Sequence, residues 1–110
     1  MAGPPEDLSP RRAAELLRDG GPGVDVREQY EWDAGHIADT VHIELERLTE
    51  GAEKLDRERP ILFYCRSGSR SALAAQAFAA AGFEAHNLDG GLQEWVKDGL
   101  AIEPADGHVA

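Results

Sequence analysis

The chain has 110 residues, of which 42% are hydrophobic and 29% charged, and this predicts one globular domain rather than a disordered or membrane-spanning chain. Its net charge of −10 argues against nucleic acid or an anionic membrane as a partner. One cysteine excludes a disulfide within the chain, and four dispersed histidines lack zinc-ligand spacing, so neither a metal nor another cofactor is predicted.

The N-terminal part predicts a loose lead-in followed by a helix. Residues 1–8 carry no signal for an element, whereas Ser9 and Pro10 suit the N-cap and first position of a helix that turns Leu16 and Leu17 inward. The opening MAGPPEDLSPRR has no apolar segment like that of a signal peptide, and no run approaches the roughly 20 apolar residues that span a bilayer. The expected compartment is therefore the cytoplasm.

Short strands and helices alternate in the next part of the chain. Residues 24–27 alternate between apolar and charged side chains, which is typical of a strand, and residues 28–33 allow one or two helical turns that end at Gly35. Residues 40–43 are rich in β-formers and predict a third strand. Leucine and alanine at helical spacing predict an amphipathic surface helix across residues 44–59. Aromatic residues expected in the core are Tyr30, Trp32 and Trp95.

The stretch from Ile61 to Gly82 predicts a strand, a tight loop and a helix. Residues 61–64 form an apolar run after Pro60, which is typical of a strand buried on both faces. Cys65 stands where that strand ends. Residues 66–70 are poor strand formers, and the alanine-rich run from Ser71 predicts a helix that Gly82 terminates. The thiol is therefore expected at the rim of a sheet, beside backbone N–H groups that converge at a helix N-terminus.

The rest of the chain continues the alternation and completes the predicted fold. Residues 84–88 predict a strand, residues 92–96 a short helix capped by Gly99, and residues 100–102 a last pairing segment, while residues 103–110 look like a frayed tail. Strands that alternate with helices predict an α/β, doubly wound, mainly parallel sheet of about five short strands with helices on both faces. Ligands bind such sheets at the carboxyl ends of the strands.

Three blocks of this sequence resemble, in order and spacing, the rhodanese-like domain, a single-domain sulfurtransferase module. They are VDVREQYEWDAGHI (Val24 to Ile37), CRSGSRS (Cys65 to Ser71) and LDGGLQEW (Leu88 to Trp95). The resemblance covers about residues 8–104 and implies a single rhodanese-like domain over residues 1–110, with loose termini at 1–7 and 105–110. The chain departs from the family pattern at Asp39, where a Gly is usual, at Ile43-Glu44, where an Ile-Pro pair is usual, and at Ala101.

The resemblance also implies an activity and the residues that carry it. A sulfane sulfur is expected to move from thiosulfate or a low-molecular-weight persulfide to cyanide, a thiol or a protein. Cys65 is expected to be the nucleophile that carries the sulfur as a persulfide. The expected substrate-binding residues are Arg66, Ser67, Gly68, Ser69 and Arg70.

The residues alone support activated-thiolate chemistry. A free cysteine has a pKa near ~8.5, and a helix N-terminus with nearby cations such as Arg66 and Arg70 lowers it. A thiolate that displaces a stable anion such as sulfite needs neither a general acid nor a general base. Because the chain has no second cysteine, the sulfur is expected to leave to an external acceptor.

Several alternatives stay open at this point. Cysteine phosphatases and arsenate reductases use a similar loop but carry one residue more between Cys and Arg than the four that separate Cys65 from Arg70 here. A sulfur-relay or binding module could dock through the acidic residues 44–59, and an exposed thiolate could also sense oxidants. Arg70 could instead pair with Asp25 or Glu28 and only fix the loop, whereas Asp25 and Arg27 are expected to form a structural ion pair.

Overall fold

The computed structural model describes residues 6–110, which form a five-stranded sheet with helices on both sides. The strands are β1 (Asp7–Leu8), β2 (Gly23–Asp25), β3 (Val41–His42), β4 (Ile61–Tyr64) and β5 (Ala85–Leu88). The helices are α1 (Pro10–Arg18), α2 (Gln29–Ala34), α3 (Leu48–Gly51), α4 (Ser69–Ala80) and α5 (Gly91–Lys97), with 3-10 turns at Leu45–Arg47 and Ala52–Lys54. None of the helices in this part of the chain combines the length and apolar character that crossing a bilayer requires.

All strand pairs are parallel, and the strand order is β1-β5-β4-β2-β3, which confirms the predicted α/β doubly wound sheet. The central strand β4 has no exposed residue, as its apolar sequence predicts. Its side chains alternate between two cores: Phe63 and Cys65 face one side, and Leu62 and Tyr64 face the other. The thiol therefore belongs to the face that α4 covers.

The first helix begins as its sequence predicts. The Ser9 hydroxyl accepts a hydrogen bond from the backbone N–H of Arg12 at 3.3 Å, and Pro10 occupies the first helical position. Ala13 is fully buried against the sheet, and Leu16 and Leu17 pack against the same core. The N-cap and the apolar spacing thus fix this helix locally.

Helix α4 begins two residues earlier than the sequence predicts, at Ser69 instead of Ser71. Gly68 adopts φ +103, a conformation that side chains rarely tolerate, and this lets the chain turn from the loop directly into the helix. The buried face of α4 carries Ser71, Ala74, Ala75 and Phe78, whereas 61% of Leu73 is exposed. Gly82, with φ +97, follows the end of the helix as predicted.

The predicted helix across residues 44–59 is wrong in its extent. Only Leu48–Gly51 is α-helical, with one 3-10 turn on either side. Glu46, Glu50 and Glu53 repel one another at helical spacing, and Gly51 lowers helix propensity by about 1 kcal/mol. A Cβ on Gly51 would lie 2.8 Å from the side chain of Ile43, the residue after β3, so packing against Ile43 holds this segment rather than helix propensity.

Both predicted loose ends are ordered parts of the fold where the structure describes them. Asp7–Leu8 pairs with β5 at the edge of the sheet, so the loose lead-in is wrong for these residues, while residues 1–5 lie outside the described part. Glu103 exchanges two backbone hydrogen bonds with His36, of 2.7 and 2.9 Å. The backbone N–H of His108 then bonds to the oxygen of Ala34. The tail is therefore held by long-range backbone pairing, which the short polar sequence of residues 103–110 does not predict.

Two further expectations about apolar residues need correction. The segment 100–102 does not pair; Leu100 and Ile102 pack against the core, and pairing falls on Glu103 instead. Among the aromatic residues, Trp95 is buried as expected, but 67% of Tyr30 is exposed. Helix α2 is short, and its buried position is taken by Glu31, whose carboxylate pairs with Arg70. Tyr30, the residue before it, is therefore left in solvent.

Asp39 is the non-glycine residue of residues 6–110 with a left-handed backbone, at φ +61. We expect Asp39→Val to lower the free energy of unfolding by about 1–2 kcal/mol, because a β-branched side chain is strained there. Asp39→Gly should stay within about 0.5 kcal/mol, since relief of strain and a freer unfolded chain oppose each other. Urea denaturation of the two variants measures this, and equal stability would contradict it.

Candidate active site

The site is a turn between β4 and α4 that surrounds the sulfur of Cys65. We call residues 65–70 the Cys65 loop. The backbone N–H of Gly68 donates to Cys65 Sγ at 3.1 Å, and the Ser71 hydroxyl lies 3.3 Å from the same sulfur. Cys65 itself is fully buried. The sequence predicted convergent N–H groups at this position, and the loop has that geometry.

The start of α5 holds the Cys65 loop from the other side. The backbone N–H groups of Leu92 and Gln93 donate to the carbonyls of Cys65 and Arg66, at 2.8 and 3.1 Å. Gly91 has φ +65, and a Cβ there would lie 2.5 Å from the Arg66 carbonyl. Gly91 is therefore needed for the close approach of the two backbones.

Opposing influences set the ionisation of Cys65, and their sum places the pKa of the thiol below its ordinary value. Burial is the largest single influence and raises the pKa, because it disfavours the charged form. Hydrogen bonds lower it: one comes from the Ser71 hydroxyl, and the others come from the backbone N–H groups of Ser71, Gly68 and Ser67. Together these donors outweigh burial, so the loop favours a thiolate.

Arg70 is held by a carboxylate that the sequence did not single out. Its guanidinium donates to both oxygens of Glu31, at 2.8 and 2.9 Å, rather than to Asp25 or Glu28. Glu31 is buried, and its hydrogen bonds from Arg70 hold its pKa below the usual range despite the burial. The same contact raises the pKa of Arg70. Helix α2 is thereby fastened to the Cys65 loop.

The remaining loop residues face outward. Arg66 is exposed, and its Nε donates to the main-chain oxygen of Ala110 at 3.0 Å. The side chains of Ser67 and Ser69 are also exposed, although the backbone N–H of Ser67 is one of the donors that lower the pKa of Cys65. Gly68 is buried, and a Cβ there would approach the Leu88 carbonyl to 3.3 Å. Of the expected binding residues, Ser67 and Gly68 thus reach the sulfur through their backbone.

Asp25 and Arg27 form the structural ion pair that was predicted. Both side chains are fully buried, and Arg27 Nη2 lies 2.7 Å from Asp25 Oδ2 and 2.7 Å from the Gly35 carbonyl. His42 bonds to the main-chain oxygen of Arg27 at 2.6 Å. The pair joins β2 to the end of α2 and so supports the helix that presents Glu31.

Two polar residues beside the sulfur are absent from the predicted site. Ser71 lies in the CRSGSRS block, where the sequence favours a role as a helix cap. In the structure its hydroxyl points at Cys65. Asn87 comes from β5, where it pairs in register with Phe63, so its side chain shares the face of the thiol. A polar residue inside an otherwise apolar strand was the available signal for Asn87.

Two cavities of the structure differ in whether the Cys65 loop lines them. One of about 360 Å³ is lined by Val26, Glu28, Leu45, Glu46 and Arg70, and so borders the loop. A larger one of about 820 Å³ lies between α4 and the segment around α3, and Leu73 and Phe78 are among its apolar walls. None of the residues 65–70 lines the larger cavity, so size alone does not mark the chemical site.

Three glutamate carboxylates form a cluster on this side of the molecule. The carboxylates of Glu28, Glu44 and Glu46 lie within 4.8 Å of one another. A side-chain hydrogen bond with Glu44, followed by the negative charges around it, raises the pKa of Glu28. Two of the three residues are exposed, as acidic surface groups commonly are, and we assign no metal to them.

The chain is similar to known proteins in both sequence and fold. Residues 9–98 match the model of the rhodanese-like domain. The thiosulfate sulfurtransferase GlpE of Coxiella burnetii is 40% identical over 73 residues, which cover 66% of this chain and 68% of that protein. GlpE of Ectopseudomonas mendocina is 34% identical over 89 residues, covering 80% and 82%. The crystal structure of a rhodanese-related protein from Thermoplasma volcanium superposes with a TM-score of 0.82 at 27% identity, covering 88% of this chain and 96% of that one.

Proposed function

The chain belongs to the family of rhodanese-like domains, and on this premise we propose that it is a sulfurtransferase of the rhodanese type in which Cys65 carries the transferred sulfur as a persulfide. The observation that carries the proposal is the set of donors around Sγ: the N–H of Gly68 at 3.1 Å and the hydroxyl of Ser71 at 3.3 Å. Donors preorganised around a sulfur stabilise negative charge without reorganisation during the reaction.

The first half-reaction loads the sulfur. The Cys65 thiolate attacks the outer sulfur of thiosulfate, a bond forms between Sγ and that sulfur, and the bond between the two sulfurs of thiosulfate breaks. Sulfite leaves with the electron pair. The persulfide bears its charge on the terminal sulfur, and no proton moves in this step, so the step requires no general base.

The second half-reaction unloads it. A nucleophilic acceptor such as cyanide or a thiolate attacks the terminal sulfur, and Cys65 leaves as a thiolate with the electron pair. The same N–H groups receive the charge again. Because the chain has no second cysteine, the acceptor is an external small molecule or protein thiol rather than a resolving cysteine of this chain.

Because Arg70 of the Cys65 loop lines the smaller cavity, we infer that the donor approaches the sulfur from that side. Cys65 is fully buried, and the 360 Å³ cavity is bordered by Arg70 of the loop and by Val26, which packs in the same core cluster as Cys65. Movement of these side chains would open a path to Sγ. A thiosulfate ion or a small persulfide fits this space, whereas a bulky donor would present only its sulfane end.

Charge at the loop favours Arg66 over Arg70 as the residue that attracts anionic donors. The charge of Arg70 is already neutralised by Glu31, with N···O distances of 2.8 and 2.9 Å. Arg66 is exposed, and within the described residues no Asp or Glu side chain forms an ion pair with it. Arg66 is therefore the substrate-binding cation, and Arg70 positions the loop.

We expect Arg66→Ala to raise the KM for thiosulfate several-fold and to leave kcat within about twofold, because one unscreened charge near an anion is worth about 1 kcal/mol. Arg12→Ala, which removes a cation from α1, is the matched control and should change neither constant. Steady-state thiocyanate formation measures both. An unchanged KM in Arg66→Ala would remove the proposed role of this residue.

Two other functions make different predictions. A sulfur-relay or binding module would dock to a partner with little turnover of its own, and the acidic segment around α3 would be its contact surface. A cysteine phosphatase or arsenate reductase would bind a tetrahedral oxyanion, for which the four-residue spacing between Cys65 and Arg70 gives a smaller ring of amides than those enzymes use.

Intact mass of the purified protein tests the proposal. Incubation with thiosulfate should add about 32 Da, the mass of one sulfur atom, and cyanide should remove it with release of thiocyanate. If neither thiosulfate nor glutathione persulfide adds a sulfur atom, the binding module becomes the better assignment. Hydrolysis of an aryl phosphate by a protein that loads no sulfur would favour the phosphatase.

A further inference from the structure

A chain of buried polar groups runs from the thiol to β5. The Ser71 hydroxyl lies 3.3 Å from Cys65 Sγ and makes a short hydrogen bond to Asn87 Oδ1. Asn87 Nδ2 donates to the Gly68 carbonyl at 3.1 Å. All of these groups are buried, so water does not compete for their hydrogen bonds.

The orientation of the Asn87 amide follows from its partner. The Gly68 carbonyl only accepts hydrogen bonds, so the nitrogen of the amide must face it and Oδ1 must face Ser71. Oδ1 in turn only accepts. The Ser71 hydroxyl must therefore supply the proton in its contact with Asn87.

Ser71 has one hydroxyl proton and two acceptors within reach. We propose that Asn87 and the Cys65 sulfur compete for this proton, and that Asn87 is a positioning residue that favours an uncharged Sγ over the free thiolate. With a neutral thiol there is no conflict, because the S–H donates to Ser71 Oγ while the hydroxyl donates to Asn87. With a thiolate the hydroxyl must rotate to the sulfur, and Asn87 Oδ1 loses its buried donor.

The competition distinguishes the states of the proposed sulfur transfer, and this consequence rests on that proposal. In the persulfide the charge lies on the terminal sulfur and Sγ is neutral, so the hydroxyl proton returns to Asn87. Both the thiol and the persulfide leave the Ser71 hydroxyl bonded to Asn87, and only the free thiolate draws its proton away. Asn87 therefore favours the loaded enzyme over the discharged thiolate.

Within the described residues, the hydrogen bonds of the Asn87 side chain go to Ser71 and Gly68 and not to the charged groups around the thiol. Arg70 of α4 interacts with the thiolate and is paired with Glu31 of α2. Beyond them lies the buried pair of Asp25 and Arg27 at the end of β2. Arg66 of the loop bonds to the main chain of Ala110. A change of Asn87 should thus act on Cys65 through Ser71 and the loop.

Titration of Cys65 by its thiolate absorbance, with Cys65→Ser as the blank, tests the proposal. Asn87→Ala should shift the midpoint down by about 0.5–1 pH unit, because the Ser71 proton becomes free to donate to sulfur. Ser71→Ala should shift it up by a similar amount. In the Ser71→Ala background, Asn87→Ala should have almost no effect, since the competition is gone.

A merely structural role for Asn87 gives the opposite signs. Loss of the Gly68 contact would loosen the loop and weaken its donors, so Asn87→Ala would raise the midpoint both in the unmodified protein and in Ser71→Ala. A raised midpoint in both, or equal shifts in both, would overturn the proposal. If Asn87→Ala does not fold, the Asn87 side-chain amide resonance of the unmodified protein serves instead. It should shift with the midpoint of Cys65, and a shift of the same size in Ser71→Ala would overturn the proposal.

Equilibrium loading tests the consequence for the persulfide. At a pH above the Cys65 midpoint, in a fixed mixture of thiosulfate and sulfite, Asn87→Ala should lower the ratio of loaded to free enzyme about two- to tenfold, and an unchanged ratio would refute this part. The titration needs no sulfur transfer. If the titration shifts are as expected but the protein never loads sulfur, the competition for the Ser71 proton would be supported and the proposed function would fail.

Discussion

Cys65→Ala is expected to abolish both sulfur loading and thiocyanate formation, a loss on the order of 10³-fold or more, because no other thiol exists in the chain. The loop N–H groups would still bind anions but would have no nucleophile. The mass gain with thiosulfate should vanish completely. Intact mass and steady-state thiocyanate formation measure the two effects.

The stability of the Cys65 variants separates chemistry from folding. Cys65→Ala leaves the buried N–H of Gly68 without its acceptor, which costs about 1–3 kcal/mol. Cys65→Ser is the matched variant, since its oxygen can accept the same bonds, and it should be the more stable of the two while remaining inactive. A sulfur adduct on folded Cys65→Ser would contradict the assignment of the nucleophile.

Asp25→Ala is expected to lower the free energy of unfolding by about 3–5 kcal/mol, because it leaves the charge of Arg27 buried without its counter-ion. Both side chains are fully buried, and Nη1 of Arg27 already has no partner within the described residues. Since small domains are stable by about 5–15 kcal/mol, this loss is a large fraction of the total. Thermal unfolding and urea denaturation measure it.

Lys97→Ala is the matched control for the buried pair. It removes an ion pair with Glu94 of 3.8 Å in which 78% of the lysine side chain is exposed, and it should change stability by less than about 1 kcal/mol. Equal losses in Asp25→Ala and Lys97→Ala would show that the Asp25–Arg27 pair is not a principal support of the fold. We expect α2 and its Glu31 to loosen first in Asp25→Ala.

Local sequence patterns determined the central part of this protein. The apolar run of β4, the cysteine at its end and the glycine-containing turn into α4 are consecutive, and the N–H groups that surround Sγ come from the turn itself. Backbone donors within a short loop depend on its dihedral angles alone, so a sequence motif can specify them. The alternation of strands and helices likewise determined the parallel sheet.

Packing between distant segments was decided only by the tertiary structure. Arg70 pairs with Glu31, 39 residues away, because α2 folds against the loop, and Asn87 reaches Ser71 because the register of β5 aligns it with Phe63. The segment around α3 is short and the tail after Glu103 is ordered for the same reason. Such contacts depend on where separate elements meet, and local propensity contains no information about that meeting.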